Sequence, residues 1–226
     1  MRSVHDVGGL DFGAVPLKDH AMEMWEKRTN GISLALRQKK LATLDEQRRH
    51  VENLGDSYHK RRYFERQLLA WAQIVIDRGM ITSAELGRML ADPPAPPSVL
   101  PSPRRAASSQ DSGPDVTAMA PRFKPGDRVR VLKAEPPGHV RTPYYCRGHV
   151  GLIERICGAF PNPEELAYGF DGKPAKVLYR VRFKQNQVWP DYKGPARDLI
   201  EMEIFEHWLV PASTRAKPAR LIPGND

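Results

Sequence analysis

Hydrophobic positions along the chain change period once. From 63 to 78, Phe64, Leu68, Trp71, Ala72, Val75 and Ile76 recur at the 3.6-residue spacing of a buried helix face, and Gly79 follows as its C′ stop. Thr43-Leu44-Asp45-Glu46 and Thr82-Ser83-Ala84-Glu85 carry the S/T-x-x-E pattern of a capping box. The first predicts a helix through Arg48, Val51 and Leu54 with Gly55 as its stop; the second predicts a short helix through Leu86 and Leu90. A further helix is predicted from near Asp19 through Met22 and Trp25 toward Leu36, preceded by an extended arm bearing Gly8, Gly9 and Gly13.

Beyond residue 121 the period becomes two. Val129 and Val131 alternate with Arg128 and Arg130 within a strand predicted over 123–132. Strands are also predicted over 149–156, over 177–183, where Val177, Tyr179, Val181 and Phe183 form one face, and over 199–204. Residues 205–209 read as a turn plugging the end. Short strands with Gly and Pro punctuation predict a small SH3-like barrel. Between the two regimes, residues 92–121 are rich in Pro, Ala and Ser with no apolar period, a flexible linker by composition. The expected class is α+β, with a helical domain over 1–91, the linker over 92–121, an SH3-like β-barrel over 122–212 and a tail over 213–226.

Composition narrows the function classes. Two cysteines, Cys146 and Cys157, cannot organise a disulfide scaffold. No apolar run approaches the roughly 18 residues of a membrane span, and the start of the chain lacks a secretory h-region, so no membrane contact and a cytoplasmic location are expected. The net charge of +8 raises a nucleic-acid or acidic partner as a question. The strand-loop-strand around Arg128-Val129-Arg130 and Arg147-Gly148-His149 resembles KOW-type nucleic-acid modules, which keeps that class open as the weaker alternative.

For chemistry, His139, Cys146, His149 and Cys157 are metal-ligand residue types, but their spacing matches no zinc pattern. No G-x-S-x-G nucleophile elbow and no G-x-G-x-x-G phosphate cradle occurs. What stands out is arginine on constrained backbone. Arg48 lies on the helix opened by Thr43, and Arg141 lies in the proline-stiffened stretch Gly138-His139-Val140-Arg141-Thr142-Pro143. A guanidinium is a permanently charged planar fork suited to an oxyanion needing two hydrogen bonds in fixed geometry.

Several runs together resemble the β subunit of nitrile hydratase: His5-Asp6-Val7-Gly8-Gly9, Leu44-Asp45-Glu46-Gln47-Arg48, Tyr63-Phe64-Glu65-Arg66, Pro125-Gly126-Asp127-Arg128-Val129-Arg130, Gly138-His139-Val140-Arg141, Tyr145-Cys146-Arg147-Gly148 and Glu206-His207-Trp208-Leu209. The resemblance implies that the Co(III) or Fe(III) centre sits on an obligate α-subunit partner and not on this chain. It implies that Arg48 and Arg141 hydrogen-bond the oxidised cysteines of that partner's metal loop, in an αβ or α2β2 assembly that hydrates small nitriles to amides. Tyr63, Phe64 and Trp25 are the implied substrate-pocket residues; the family often has an aromatic residue where Gln67 stands here. His5, Asp6, Gly8, Gly9, His139, Tyr145 and Arg147 are implied partner-interface residues, with the N-terminal arm wrapping the partner. Thiocyanate hydrolase, whose corresponding halves are separate chains, is a close relative, so a fused thiocyanate hydrolase-type subunit is the alternative reading.

Overall fold

A computed structural model describes residues 2–15, 17–18, 20–93 and 120–212. Most of the Pro-rich linker and the whole 213–226 tail lie outside these residues.

The N-terminal part contains helices α1 (Met24–Gln38), α2 (Leu44–Glu52), α3 (Tyr63–Asp77) and α4 (Ser83–Ala91). Helix α3 ends as its sequence dictates. Gly79, at φ +66°, donates to Ile76 O and Met80 donates to Val75 O, the paired bonds of a Schellman stop. The Thr82 box closes in both directions, with Glu85 N–H donating to the Thr82 hydroxyl at 3.1 Å and Thr82 N–H donating to Glu85 at 2.7 Å. The Thr43 box is half made. Thr43 accepts from Glu46 N–H at 3.0 Å, but the Glu46 carboxylate turns away to Arg78, 2.8 Å off, because that cation outcompetes a neutral amide. Helix α1 starts at Met24 rather than near Asp19; Glu26 accepts from Glu23 N–H at 2.9 Å and fixes that start.

Helix packing here is unusually polar. Helix α1 buries Glu26, Thr29 and Ser33 while leaving Met24, Ile32 and Leu34 more than half exposed. Glu26 meets Arg62 at 2.9 Å, and the two hydroxyls donate back to carbonyls four residues earlier. A relay crosses three helices: Arg37 donates to Gln47 at 2.6 Å, and Gln47 donates to Gln67 at 2.6 Å. The apolar cluster beside it is small, built on Ala42, Trp71 and Ile74.

The C-terminal part is an antiparallel sheet of β1 (Arg128–Val131), β2 (Val150–Phe160), β3 (Lys176–Lys184), β4 (Leu199–Phe205) and β5 (Leu209–Pro211), with single helical turns α5 (Pro163–Leu166) and α6 (Gln185–Val188). Strand order is β4-β3-β2-β1-β5. Among the described residues the sheet does not close into the barrel expected from the alternation. Strands β4 and β5 are consecutive in the chain, but the 3-10 turn Glu206–Trp208 carries the chain from one edge to the other, and they do not pair. The structure is α+β with an open five-stranded sheet. Alternation itself holds well on β3, where Val177, Tyr179, Val181 and Phe183 are all buried against Val129, Val131, Ile153, Ile204 and Trp208. The first strand is shorter than predicted because residues 122–127 turn on Gly126, at φ +92°.

Helix α2 docks on the sheet part through α5. Thr43 Oγ1 donates to Leu166 O at 2.9 Å, and Arg49 Nε donates to Ala167 O at 2.6 Å while its guanidinium covers the Tyr168 ring.

Candidate functional site

Two parts of the chain meet at α2. Asp45, Arg48 and Glu52 occupy positions i, i+3 and i+7 of that helix, so they share one face. Opposite them runs the irregular stretch of residues 136–143 that enters the 3-10 turn Tyr144–Cys146. His139 is the pivot. Its side chain is almost fully buried, with Nδ1 2.9 Å from Glu52 and Nε2 3.3 Å from Asp45. The second contact is an ion pair off the line of a hydrogen bond. Burial alone would lower the imidazole pKa; the Asp45 and then the Glu52 carboxylate outweigh it and raise it. Burial likewise pushes the Asp45 carboxyl up, but His139, Arg141 and Arg48 together bring it below the usual aspartate value.

This packing delivers Arg141 beside Arg48. Both line a cavity of about 290 Å³ together with Asp45, Glu203, which is paired with Arg180, and the apolar Phe160, Pro163, Leu178 and Phe205. Among the described residues Arg48 hydrogen-bonds to Asp45 alone, at 3.3 Å. Arg141 makes no hydrogen bond or ion pair among the described residues. Arg141 is exposed as a residue, and desolvation by the surrounding protein and then the Arg48 charge lower its pKa. The charge survives, since an arginine does not deprotonate in a protein. Two guanidiniums are thus held near one another with most donors unspent, an arrangement that favours an anion between them.

Arg141 also lines a larger cavity of about 740 Å³, whose lining includes the N-terminal arm. The arm engages its own chain. Asp6 accepts from Tyr144 N–H at 2.6 Å, and His5 lies 3.6 Å from Glu52. Gly8 lies flat on the Tyr145 ring, where an added Cβ would fall 2.3 Å from a ring carbon, and Gly9, at φ +80°, lies on Trp189. Tyr145 donates from its hydroxyl to Met202 Sδ at 2.9 Å. Arg147 donates to Thr142 O at 2.8 Å and to Ala134 O at 2.9 Å, stapling the loop that bears Arg141. The seven residues that the resemblance implied at a partner interface therefore all make contacts within this chain, and His139 is buried in it.

Trp25 lies on α1, and Tyr63 and Phe64 open α3. The Trp25 ring lies under the Arg62 guanidinium, and Tyr63 meets Phe64 edge to face at 5.0 Å. Tyr63 is 60% exposed, and none of the three lines either Arg141 cavity. Asp45 and Glu52 were not singled out in the sequence; the signal available was their shared helical face with Arg48. Among the described residues no group of three His, Cys, Asp or Glu gathers as a metal site. Cys146 is fully buried with its thiol donating to Pro143 O. No described helix is long and apolar enough to cross a membrane.

Residues 1–111 match the family described as nitrile hydratase beta subunit, N-terminal, and residues 113–211 match nitrile hydratase beta subunit, C-terminal. Nitrile hydratase subunit beta of Pseudomonas chlororaphis is 30% identical over 92% of this chain and 95% of its own length. The cobalt-containing nitrile hydratase subunit beta of Pseudonocardia thermophila is 27% identical over 97% of this chain and all of its own length. Thiocyanate hydrolase subunit alpha of Thiobacillus thioparus is 35% identical over 40% of this chain and 72% of its own. These matches give no support to the nucleic-acid alternative. With both halves matched in order and a relative aligned along nearly its full length, the chain belongs to the nitrile hydratase β-subunit family.

Proposed function

We propose that this chain is the β subunit of a heteromer that hydrates nitriles to amides, with Arg48 and Arg141 completing a metal site carried by an α-subunit partner. The observation that carries the reading is the pair of under-used guanidiniums brought together from the two parts of the chain. Oxidised cysteine sulfurs on a partner loop would be anionic, and the two arginine forks would bind their oxygens and hold that loop in shape. The cobalt or iron, when bound to the partner, supplies Lewis acidity toward the nitrile or water. In this reading Tyr63, Phe64 and Trp25 reach the substrate only in the assembled pocket, and the division into 1–91 and 122–212 lets one arginine come from each part.

The apolar surface left open by the helices supports an obligate partner. Leu10, Phe12, Met24, Ile32 and Leu34 are each more than half exposed on a part whose own apolar core is small. Obligate interfaces cover such surface with an apolar core. His5, Asp6, Gly8, Gly9, Tyr145 and Arg147 would support that interface from behind by shaping the arm and loop, with stoichiometry αβ or α2β2.

The test is co-expression with the metal-loop subunit of the same genome in medium with cobalt or iron. Metal analysis, complex mass and amide formation from a small nitrile are then measured, with thiocyanate in parallel. A metal-bearing complex that forms amide supports the reading. Thiocyanate turnover without nitrile turnover would favour the fused thiocyanate hydrolase alternative, and failure to form any complex would sink both.

A further inference from the structure

The outer face of β1, β2 and β3 carries a charge arrangement that the Arg48 and Arg141 site does not use. A groove of about 610 Å³ there is lined by Arg128, Arg130, Arg182 and Lys184 and by no aspartate or glutamate. Register sets the pattern. Arg128 lies opposite Leu152, and Leu152 lies opposite Arg182; Arg130 lies opposite Val150. Arg128 and Arg130, like Arg182 and Lys184, are two residues apart on one strand, hence about 7 Å apart along it. The two pairs flank β2, so about 10 Å separates them across the sheet. The result is a two-by-two grid of cations around an aliphatic strip in which Leu152 is 38% and Leu199 47% exposed.

Arg180, outside the groove, meets Glu203 at 2.7 Å; within the groove, Arg182 is matched on its β4 side by Glu201 at 2.7 Å and lies 4.0 Å from Glu154. Arg128 and Lys184 form no ion pair or side-chain hydrogen bond among the described residues. His149, at the same groove, has its pKa lowered by burial and then by the Arg130 charge.

We propose that this face docks an extended acidic polypeptide segment of a partner protein. The spacing excludes a single small anion as the full ligand, because one phosphate or carboxylate cannot span 10 Å. An extended chain places alternate side chains about 7 Å apart, matching the grid along the strands, and its apolar residues would cover Val150, Leu152 and Leu199. A single-stranded nucleic acid would also present charges in a row, but it needs exposed aromatic rings for its bases. The lining holds no Tyr or Trp, its Phe183 is 1% exposed, and its one other ring, His149, is half-buried.

The test uses the full chain and fluorescence anisotropy of a labelled peptide of about ten residues, glutamates around two central valines. A lysine counterpart and an oligothymidylate of equal length serve as comparators. Saturable binding of the acidic peptide is expected, weakening with salt. The pair Arg128→Glu and Lys184→Glu should weaken it at least tenfold with the thermal midpoint unchanged, and the pair Arg128→Lys and Lys184→Arg should keep it. The proposal is overturned by absent binding, by unchanged affinity in the charge-reversed chain, or by oligothymidylate binding as tightly as the peptide. Nitrile turnover is not read in this experiment, so its outcome is separate from that of the proposed function.

Discussion

The Nδ1 atom of His139 lies 2.9 Å from a carboxylate oxygen of Glu52, and this bond ties the loop carrying Arg141 to the helix carrying Arg48. The ring is almost fully buried and its other nitrogen faces Asp45. An imidazolium between two carboxylates is a strong tie only while all three groups are charged. It holds the loop carrying Arg141 against the face of the helix that carries Arg48.

That tie makes stability depend on pH in a defined direction. The folded pKa of His139 is raised above its ordinary 6.5, so its contribution is fully present below 6.5 and is lost as pH rises through the higher folded value. Asp45 sets the acid limit. Its folded pKa is depressed below 3.8, so its contribution is present above 3.8 and is lost as pH falls through the lower folded value. His139→Gln is expected to cost on the order of 3 kcal/mol, as when one member of a buried pair is removed. Thermal melts of both proteins across pH should show the gap widest between pH 3.8 and 6.5 and narrowing above. A gap that stays constant with pH would mean that the ring acts by packing alone.

The legible part of the fold was the local part. The helix over 63–77, the Gly79 stop and the Thr82 box needed only neighbours in sequence and are present, but the face that α3 buries is Ala70, Trp71 and Ile74, with Leu68 49% exposed, because packing against α1 and α2 rather than the apolar period chooses it. The Thr43 box was half legible, because Arg78, 32 residues from Glu46, takes the carboxylate that a local rule sends back to the helix start. Strand alternation on β3 was legible; barrel closure was not, since it depends on whether β4 and β5 meet across the sheet. At the site, Arg48 and Arg141 stood out by residue type. Their closeness, and the roles of Asp45 and Glu52 in it, follow from a contact between residues about 90 apart that no periodicity encodes.

Thr43 serves two bonds at once, accepting from Glu46 N–H and donating to Leu166 O. Thr43→Ala should therefore cost about 1–2 kcal/mol, a helix cap plus a cross-chain hydrogen bond. Thr43→Ser should restore most of it. Denaturant melts read both, and an alanine variant as stable as the original would show that the hydroxyl is replaceable by water.

Gly8 has no room for a side chain against Tyr145. Gly8→Ala should lift the arm from the sheet part at a cost of about 1–3 kcal/mol, the usual range for overpacking. Hydrogen exchange at Asp6, Val7 and Leu10, whose amides bond within the arm, should speed up while β3 amides stay protected. Unchanged exchange in the arm would mean that this contact does not hold it.

The two cysteines should differ in reactivity. Cys146 is fully buried and its thiol pKa is pushed up to about 12, chiefly by burial; Cys157 is partly open, with a pKa raised by burial and then by Glu203. Since the thiolate is the nucleophile, iodoacetamide near pH 8 should label Cys157 slowly and leave Cys146 intact until the chain unfolds. Peptide mass spectrometry reads both sites, and early labelling of Cys146 would place the Tyr144–Cys146 turn in a more open state.

The two arginines provide the sharpest separation of charge from geometry. Arg48→Lys and Arg141→Lys keep a positive charge in the cavity but remove the planar fork, so an ion that merely needs a cation would tolerate either change. A partner group needing paired hydrogen bonds would not. Each variant should still assemble with the α subunit, because neither arginine is needed for the His139 to Glu52 tie or for the Thr43 and Arg49 contacts with α5. Amide formation by the assembled complex should fall about 10- to 100-fold in each, the usual loss when a residue supporting a metal site is changed. Turnover and gel-filtration profile, measured on the same preparations, give the two readouts. Full turnover in both variants would remove these arginines from the chemistry, whereas loss of assembly would make them interface residues whose charge and shape serve the partner's docking.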